Sequence, residues 1–283
     1  MKAELLVSTE SLAAHLSDPD WIVFDVRHDL AYPDKGRAAW QAAHVPGAYF
    51  MHLDADLSGA KTGANGRHPL PPAGDFAARM NRCGVAPGRQ VVVYDDGGGS
   101  FAVRLWWMLR WLGHDRVSLL DGGFAAWKRE NRPLDAQVPA AREGKFVPRP
   151  MEGATVDTAT VAAKLRTPDM VLVDARAATR FMGENETLDP VAGHIPGAIN
   201  RFWQHNLGHD GRFLPPEELR AEFLEELGEV APSRVVHSCG SGVTACHNLF
   251  AMELAGLGGS RLYPGSWSEW CSDPARPVAT GPK

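Results

Sequence analysis

The chain contains two copies of one sequence pattern, and this repeat restricts the possible fold more than any other feature. A short apolar run ends in Asp-x-Arg at residues 23–27 and again at residues 172–176. Each copy continues to a His-x-Pro-Gly-Ala motif, at residues 44–48 and 194–198. Because the motifs recur in the same order at almost the same spacing, the sequence predicts a duplicated domain.

The later part of each copy also matches, with residues 91–96 corresponding to 234–239. Short β-branched runs alternate with helical stretches in both copies, which is typical of a parallel α/β sheet. A proline-rich segment between the copies predicts a linker. We therefore expect an N-terminal domain at residues 1–135, a linker at 136–153 and a C-terminal domain at 154–283.

Charge and composition exclude several classes of partner. The 283 residues carry a net charge of −5 and scattered basic residues, so we expect no nucleic-acid binding. No apolar run is long enough for a membrane span, and the N-terminus lacks signal-peptide features. The four cysteines form no Cys-x-x-Cys pair, which favours free thiols and a cytoplasmic location.

Residues 235–245 contain the pattern with the clearest chemical meaning. An apolar strand runs into Cys239, glycines follow, and an apolar helix begins soon after them. Such a turn directs backbone N–H groups and the positive end of a helix toward its centre. These groups favour the thiolate of a cysteine. The loop therefore predicts a nucleophilic Cys239 with room for one more sulfur atom, as a persulfide.

Two other uses of this loop fit poorly. A phosphatase loop needs an arginine six residues after the cysteine, to bind phosphate oxygens, but Ala245 stands there. The spacing of His237, Cys239, Cys246 and His247 matches no usual zinc pattern. We therefore expect neither a metal nor a cofactor.

Residues that occur in both copies are interpreted as structural, because only one copy has the cysteine. They are the histidines His44 and His194 and the pairs Asp25–Arg27 and Asp174–Arg176. We expect each pair to form hydrogen bonds at the end of a strand.

The sequence Cys-Gly-Ser-Gly-Val-Thr-Ala at residues 239–245 resembles the active-site loop of 3-mercaptopyruvate sulfurtransferases, a branch of the rhodanese family. The likeness extends from the first Asp-x-Arg to Trp270. It implies an α/β fold of two tandem rhodanese-like domains, each a parallel sheet flanked by helices on both faces, with the active site in the second domain. Asp96 takes the cysteine's place in the first copy, which implies that the first domain is inactive.

The resemblance also implies roles for individual residues. The implied catalytic residues are the nucleophile Cys239 and a relay of Ser241, His68 and Asp54. The implied substrate-binding residues are Arg180, Gly240, Gly242, Val243 and Thr244. The chain departs from the family pattern in two places: residues 184–191 lack a second arginine, and Pro264 stands where Asp often precedes Gly-Ser-Trp.

Two functions are compatible with these residues. In the first, an enzyme moves sulfur from a small anionic donor, 3-mercaptopyruvate or thiosulfate, through a Cys239 persulfide to cyanide or a thiol. The thiol would be thioredoxin or a low-molecular-weight compound. In the second, the chain is a sulfur-relay or regulatory module that acts on a protein partner with little turnover of its own. An intact thiolate loop favours the enzyme.

Overall fold

The computed structural model describes residues 4–165 and 167–282. The chain divides into two compact units. The first contains residues 4–59, 71–151 and 209–213, and the second contains the other described residues. Neither unit is one continuous segment. The expected boundaries at 1–135, 136–153 and 154–283, in contrast, describe continuous domains. Segment 60–70 belongs to the same unit as Cys239.

The first unit contains a five-stranded sheet and five α-helices. The strands are β1 (Leu6–Val7), β2 (Trp21–Asp25), β3 (Tyr49–Phe50), β4 (Gln90–Tyr94) and β5 (Val117–Leu120). The helices are α1 (Thr9–Ala14), α2 (Lys35–Ala42), α3 (Ala73–Arg82), α4 (Ala102–Trp111) and α5 (Gly123–Arg129). The strand order is β1-β5-β4-β2-β3, and every pair is parallel. Strand β4 is fully buried, as its run of three valines predicts.

The second unit repeats this arrangement with four strands. The strands are β6 (Val171–Asp174), β7 (Ile199–Asn200), β8 (Val235–Ser238) and β9 (Arg261–Leu262). The helices are α6 (Thr158–Ala163), α7 (Ala178–Met182), α8 (Pro216–Leu227), α9 (Ala245–Leu254) and α10 (Ser266–Trp270), with 3₁₀ turns at Trp203–Asn206 and Pro232–Arg234. The order β7-β6-β8-β9 is parallel throughout. The predicted class of two parallel sheets flanked by helices is confirmed.

Local details of the two units repeat as well. Helix α1 begins after Ser8, whose hydroxyl accepts the Ser11 N–H at 3.0 Å. Helix α6 begins after Asp157, whose carboxylate accepts the Thr160 N–H at 2.8 Å. A side-chain acceptor before the first turn pairs an N–H group that the helix itself leaves free. The duplication therefore extends to the way in which the helices begin.

The Asp-x-Arg pairs are structural in both units, as predicted. Arg27 donates to both carboxylate oxygens of Asp25 and, at 2.7 Å, to the carbonyl of Ala43. Arg176 binds Asp174 in the same way and donates at 2.9 Å to the carbonyl of Gly193. Each buried ion pair thus connects the end of a strand to the residue directly before the histidine of the His-x-Pro-Gly-Ala motif.

The histidines of that motif are also structural, as predicted. His44 and His194 are fully buried, and each Nδ1 lies within hydrogen-bonding distance of a backbone carbonyl, that of Trp40 or Phe181. Both rings stack on a neighbouring aromatic side chain. In the described part of the chain, no helix is long and apolar enough to cross a membrane.

Strand β8 carries one titratable side chain whose burial should affect stability. Burial lowers the pKa of His237 to about 3, and its Nε2 lies 3.2 Å from Sδ of Met252. Below about pH 6.5, His237 is protonated in the unfolded chain but stays neutral in the folded chain until about pH 3. Acid therefore destabilises the fold between these two pH values.

We expect His237→Leu to reduce the fall in melting temperature between pH 7 and pH 5. The unfolded state of the variant gains no proton at this position, which removes about 2 kcal/mol of the acid destabilisation. For a unit of this size that energy corresponds to about 4–8 °C. The exposed His209 gives the matched control, His209→Leu, whose pH dependence should equal that of the unchanged protein. Equal pH dependence in both variants would contradict the prediction.

Candidate active site

Cys239 lies in a loop at the carboxyl end of β8, between the strand and α9. We call residues 239–244 the cysteine loop. The Cys239 N–H donates to Oγ of Ser266 at 3.0 Å, and its carbonyl accepts the Trp267 N–H at 3.0 Å. The carbonyl of Gly240 accepts the Ser268 N–H at 2.9 Å. The first turn of α10 therefore holds the backbone of the loop in place.

The backbone of the loop folds around the cysteine sulfur. The Gly242 N–H donates to Sγ at 3.1 Å, and the Ser241 N–H donates at 3.4 Å. Only 2% of Cys239 is exposed. Two amide donors in a nearly dry position stabilise a negative sulfur far more than they stabilise a neutral thiol. The backbone thus turns two N–H groups toward the sulfur, as the sequence pattern predicts, and the role of Cys239 as nucleophile stays a prediction.

The loop needs glycine at position 242 for its conformation. Gly242 has φ +76, a left-handed conformation, and a Cβ there would lie 2.3 Å from the carbonyl oxygen of Pro264. An L side chain would be strained and would collide with backbone. At Gly240 a Cβ would meet the ends of arginine side chains instead.

The last two residues of the loop lead into helix α9. Val243 is buried, and its carbonyl accepts the Cys246 N–H at 3.1 Å. The carbonyl of Thr244 accepts the His247 N–H at 3.0 Å, while the Thr244 side chain forms no capping hydrogen bond. Val243 and Thr244 directly precede helix α9, and their predicted contact with substrate stays a prediction.

Ser241 contacts a histidine that is far away in the sequence. His68, on segment 60–70, has Nδ1 2.7 Å from Oγ of Ser241. Both residues are buried, with 5% and 6% exposed. Their arrangement can carry a proton between the ring and the hydroxyl beside the cysteine. Asp54 belongs to the first unit, where its N–H donates to Nδ1 of His52 at 3.1 Å. Its part in a relay stays a prediction.

Arg180 lies on α7 and pairs with two acidic residues. Its Nε and Nη2 donate to Glu186 at 3.1 and 2.8 Å, and Nη2 also donates to Asp189 at 3.3 Å. The carboxylates of Glu186 and Asp189 are each 2% exposed. A Cβ at Gly240 would lie 3.4 Å from Nη2 and 3.6 Å from Nη1 of Arg180. The structure therefore brings Arg180 to the cysteine loop.

Sequence reasoning missed a second arginine at the same loop. Arg67 comes directly before His68, and a Cβ at Gly240 would lie 2.9 Å from its Nη2. Its Nη1 forms an ion pair with Asp189. The only sequence signal was its position beside a predicted catalytic histidine, and the motif that carries Arg180 lies more than a hundred residues away. Among the described residues, no three His, Cys, Asp or Glu side chains group closely enough to hold a metal ion.

The first unit has a corresponding loop, and the strand register shows which of its residues is equivalent to Cys239. Strands β4 and β8 end at Tyr94 and Ser238, each paired with the aspartate of an Asp-x-Arg motif. The next residues are Asp95 and Cys239. Asp95, rather than the predicted Asp96, is therefore the equivalent of the cysteine. An alignment without a gap misses this because the loop before α4 is one residue longer than the loop before α9.

The side chain of Asp95 occupies the interior of this first loop. One carboxylate oxygen accepts the N–H groups of Gly97 and Gly99, and the other accepts those of Phe101 and Ala102, at 2.8–3.2 Å. Burial raises the pKa of Asp95 to about 6, although the N–H groups of Phe101, Ala102 and Gly99 oppose the shift. In the second unit the loop amides donate to the Cys239 sulfur, whereas in the first unit the corresponding amides donate to the Asp95 carboxylate.

Two glycine variants test whether the loop amides activate Cys239. We expect Gly242→Ala to lower the melting temperature and to slow alkylation of Cys239 at neutral pH by roughly tenfold, because at least one charge-assisted hydrogen bond to Sγ is lost. Gly228→Ala is the matched control, since Gly228 also has a positive φ in the second unit and a Cβ there meets no atom within 4 Å. Its rate of alkylation, followed by mass spectrometry, should stay within about twofold of the unchanged protein. Unaltered alkylation of Gly242→Ala would contradict the interpretation.

Comparison with known proteins agrees with this geometry. The rhodanese-like domain family matches residues 8–130 and 157–273. A Pseudomonas aeruginosa protein named probable 3-mercaptopyruvate sulfurtransferase is 50% identical over 99% of this chain and 100% of its own. A Mycobacterium tuberculosis protein, provisionally named a thiosulfate sulfurtransferase, is 37% identical over 99% of this chain and 98% of its own.

A solved structure supports the same assignment. The crystal structure of SseA from Escherichia coli, described as a 3-mercaptopyruvate sulfotransferase with the rhodanese fold, has a TM-score of 0.82 and 33% identity to this chain. The match covers 94% of this chain and 99% of SseA. The chain therefore belongs to the rhodanese family and is a sulfurtransferase with two rhodanese domains.

Proposed function

We propose that this sulfurtransferase takes sulfur from 3-mercaptopyruvate, carries it as a persulfide on Cys239 and passes it to a thiol or to cyanide. The observation that carries the proposal is the pair of loop amides, Ser241 and Gly242, that donate to the buried Sγ of Cys239. They stabilise a negative sulfur, which is the reactive form of the cysteine before transfer and the form of its terminal sulfur afterwards.

In the first half-reaction the Cys239 thiolate attacks the sulfur of 3-mercaptopyruvate. A sulfur–sulfur bond forms, the carbon–sulfur bond breaks, and the electron pair leaves on carbon as the enolate of pyruvate. The enolate must gain a proton to become pyruvate. Ser241 would give this proton, and His68, whose Nδ1 lies 2.7 Å from the hydroxyl oxygen, would replace it. Asp54 would complete this relay.

In the second half-reaction an acceptor thiolate attacks the outer sulfur of the persulfide. That sulfur moves to the acceptor, and Cys239 leaves as the thiolate that began the cycle. Thioredoxin or a low-molecular-weight thiol would serve as acceptor, because each can supply the attacking thiolate. Arg180 would bind the anionic end of the donor in the first half-reaction, beside Gly240.

The first unit has no sulfur chemistry in this proposal. A carboxylate cannot carry a transferable sulfur, and Asp95 already accepts the four N–H groups of its loop. The cysteines Cys83, Cys239, Cys246 and Cys271 are all free thiols, which suits the reducing cytoplasm as the site of the reaction.

Incubation with 3-mercaptopyruvate should add ~32 Da, one sulfur, to Cys239 and to no other cysteine. Cys239→Ser should gain no sulfur and release no pyruvate. Cys83→Ala is the control and should keep full activity, because burial raises the pKa of the Cys83 thiol to about 11 and leaves it unreactive. Intact-mass and peptide analysis give the readout. Sulfur transfer by Cys239→Ser would refute the persulfide mechanism.

Ser241→Ala should distinguish the two donors. With 3-mercaptopyruvate the variant loses the proton donor for the enolate, and we expect kcat to fall about 10²-fold. Thiosulfate releases sulfite, a stable anion that needs no proton, so turnover with thiosulfate should change much less. His68→Gln should lower kcat with 3-mercaptopyruvate selectively in the same way. The double variant should have a kcat no lower than that of either single variant. Equal losses with both donors would show that Ser241 does not supply the proton.

A further inference from the structure

Arg67 reaches the cysteine loop because segment 60–70 lies against the start of α10. The Arg67 N–H donates to Oγ of Ser268 at 3.0 Å. Gly66 before it has φ +81, and a Cβ there would lie 2.9 Å from the carbonyl oxygen of Gly265. Backbone contacts therefore hold Arg67 at this place, beside the same turn of α10 that holds the loop.

Arg67 and Arg180 both have an unused nitrogen near Gly240. Arg180 uses Nε and Nη2 for Glu186 and Asp189, and Arg67 uses Nη1 for Asp189. Within residues 4–165 and 167–282, no hydrogen-bond acceptor contacts Nη2 of Arg67 or Nη1 of Arg180. These two atoms would lie 2.9 and 3.6 Å from a Cβ on Gly240. Two guanidinium donors, one from each arginine, thus lie close to the same position beside Cys239.

The sum of the charges beside the cysteine loop indicates a role for Arg67. The ion pairs here join Arg176 and Arg180 to three buried carboxylates, Asp174, Glu186 and Asp189. Without Arg67 these groups would sum to one negative charge and would repel an anion. With Arg67 the sum is zero, and two positively charged donors still face the loop. Arg67 therefore lowers the electrostatic cost of binding an anionic sulfur donor beside the loop.

We propose that Arg67 binds the anionic end of the sulfur donor together with Arg180, Nη2 of the one and Nη1 of the other each donating to it. The inference rests on the proposed function, since it assigns a ligand to the same site. It also explains how residues 184–191 can hold acidic residues instead of an arginine: the second cation comes from segment 60–70. A carboxylate, with two oxygens for two donors, is the group that this pair fits best.

The experiment compares Arg67→Gln with Arg129→Gln, which removes the same charge from an exposed position on α5. We expect Arg67→Gln to raise KM for 3-mercaptopyruvate roughly 10- to 100-fold, the loss expected for one charge-assisted hydrogen bond. KM for the acceptor thiol should not change, because the acceptor does not use this site. Arg67→Lys should recover part of the loss, since it keeps the charge without the planar fork. Arg129→Gln should leave both constants unchanged.

Asp189→Asn separates binding from positioning. If Arg67 binds the donor, removing its carboxylate partner leaves both guanidinium groups available and does not raise the donor KM. If Asp189→Asn raises it as much as Arg67→Gln, Arg67 acts only through Asp189 and the inference is overturned. An unchanged donor KM in Arg67→Gln overturns it as well. If Arg67→Gln loses the native melting transition, the donor KM of Arg67→Lys decides in its place, and an unchanged value refutes donor binding.

The experiments distinguish a failure of the inference about Arg67 from a failure of the proposed function. If the unchanged protein transfers sulfur and Arg67→Gln keeps its donor KM, only the inference about Arg67 is lost. If the unchanged protein forms no persulfide with either donor, the proposed function and the inference are both overturned.

Discussion

The contact on which the site depends is the one between the Cys239 sulfur and the N–H groups of Ser241 and Gly242. It requires a buried strand that ends at Ser238, a glycine with positive φ, and an α10 turn that holds the loop backbone. Because the donors belong to the main chain, they are in place before a substrate arrives and need no side chain to move. The parallel sheet positions this turn at the carboxyl end of β8.

The same architecture in the first unit has a different occupant. Asp95 places a carboxylate among the amides of its loop, and four hydrogen bonds satisfy it. In both units the turn directs its amides to the residue that follows the strand, and the identity of that residue decides which atoms they bind. An internal carboxylate makes the turn a stable structural element, whereas a cysteine leaves it open to chemistry.

Much of this could be predicted from the sequence, because repeats and strand–loop–helix patterns are local. The Asp-x-Arg pairs and the position of Cys239 needed only neighbouring residues. Arg67 could not be found in this way, since its contact with Ser268 joins residues 201 positions apart. The choice of Asp96 over Asp95 failed for a related reason: two adjacent aspartates look alike in an alignment, and only hydrogen-bond register reveals a one-residue insertion.

Segment 60–70 limits how the two copies of the repeat can be separated. By order it belongs to the first copy of the repeat, yet it folds in the unit that contains Cys239 and contributes Arg67 and His68 there. The two copies therefore cannot be separated at the boundary of the repeat without removing these side chains from the unit that contains Cys239. A second half expressed alone would keep Cys239 but would lack Arg67 and His68.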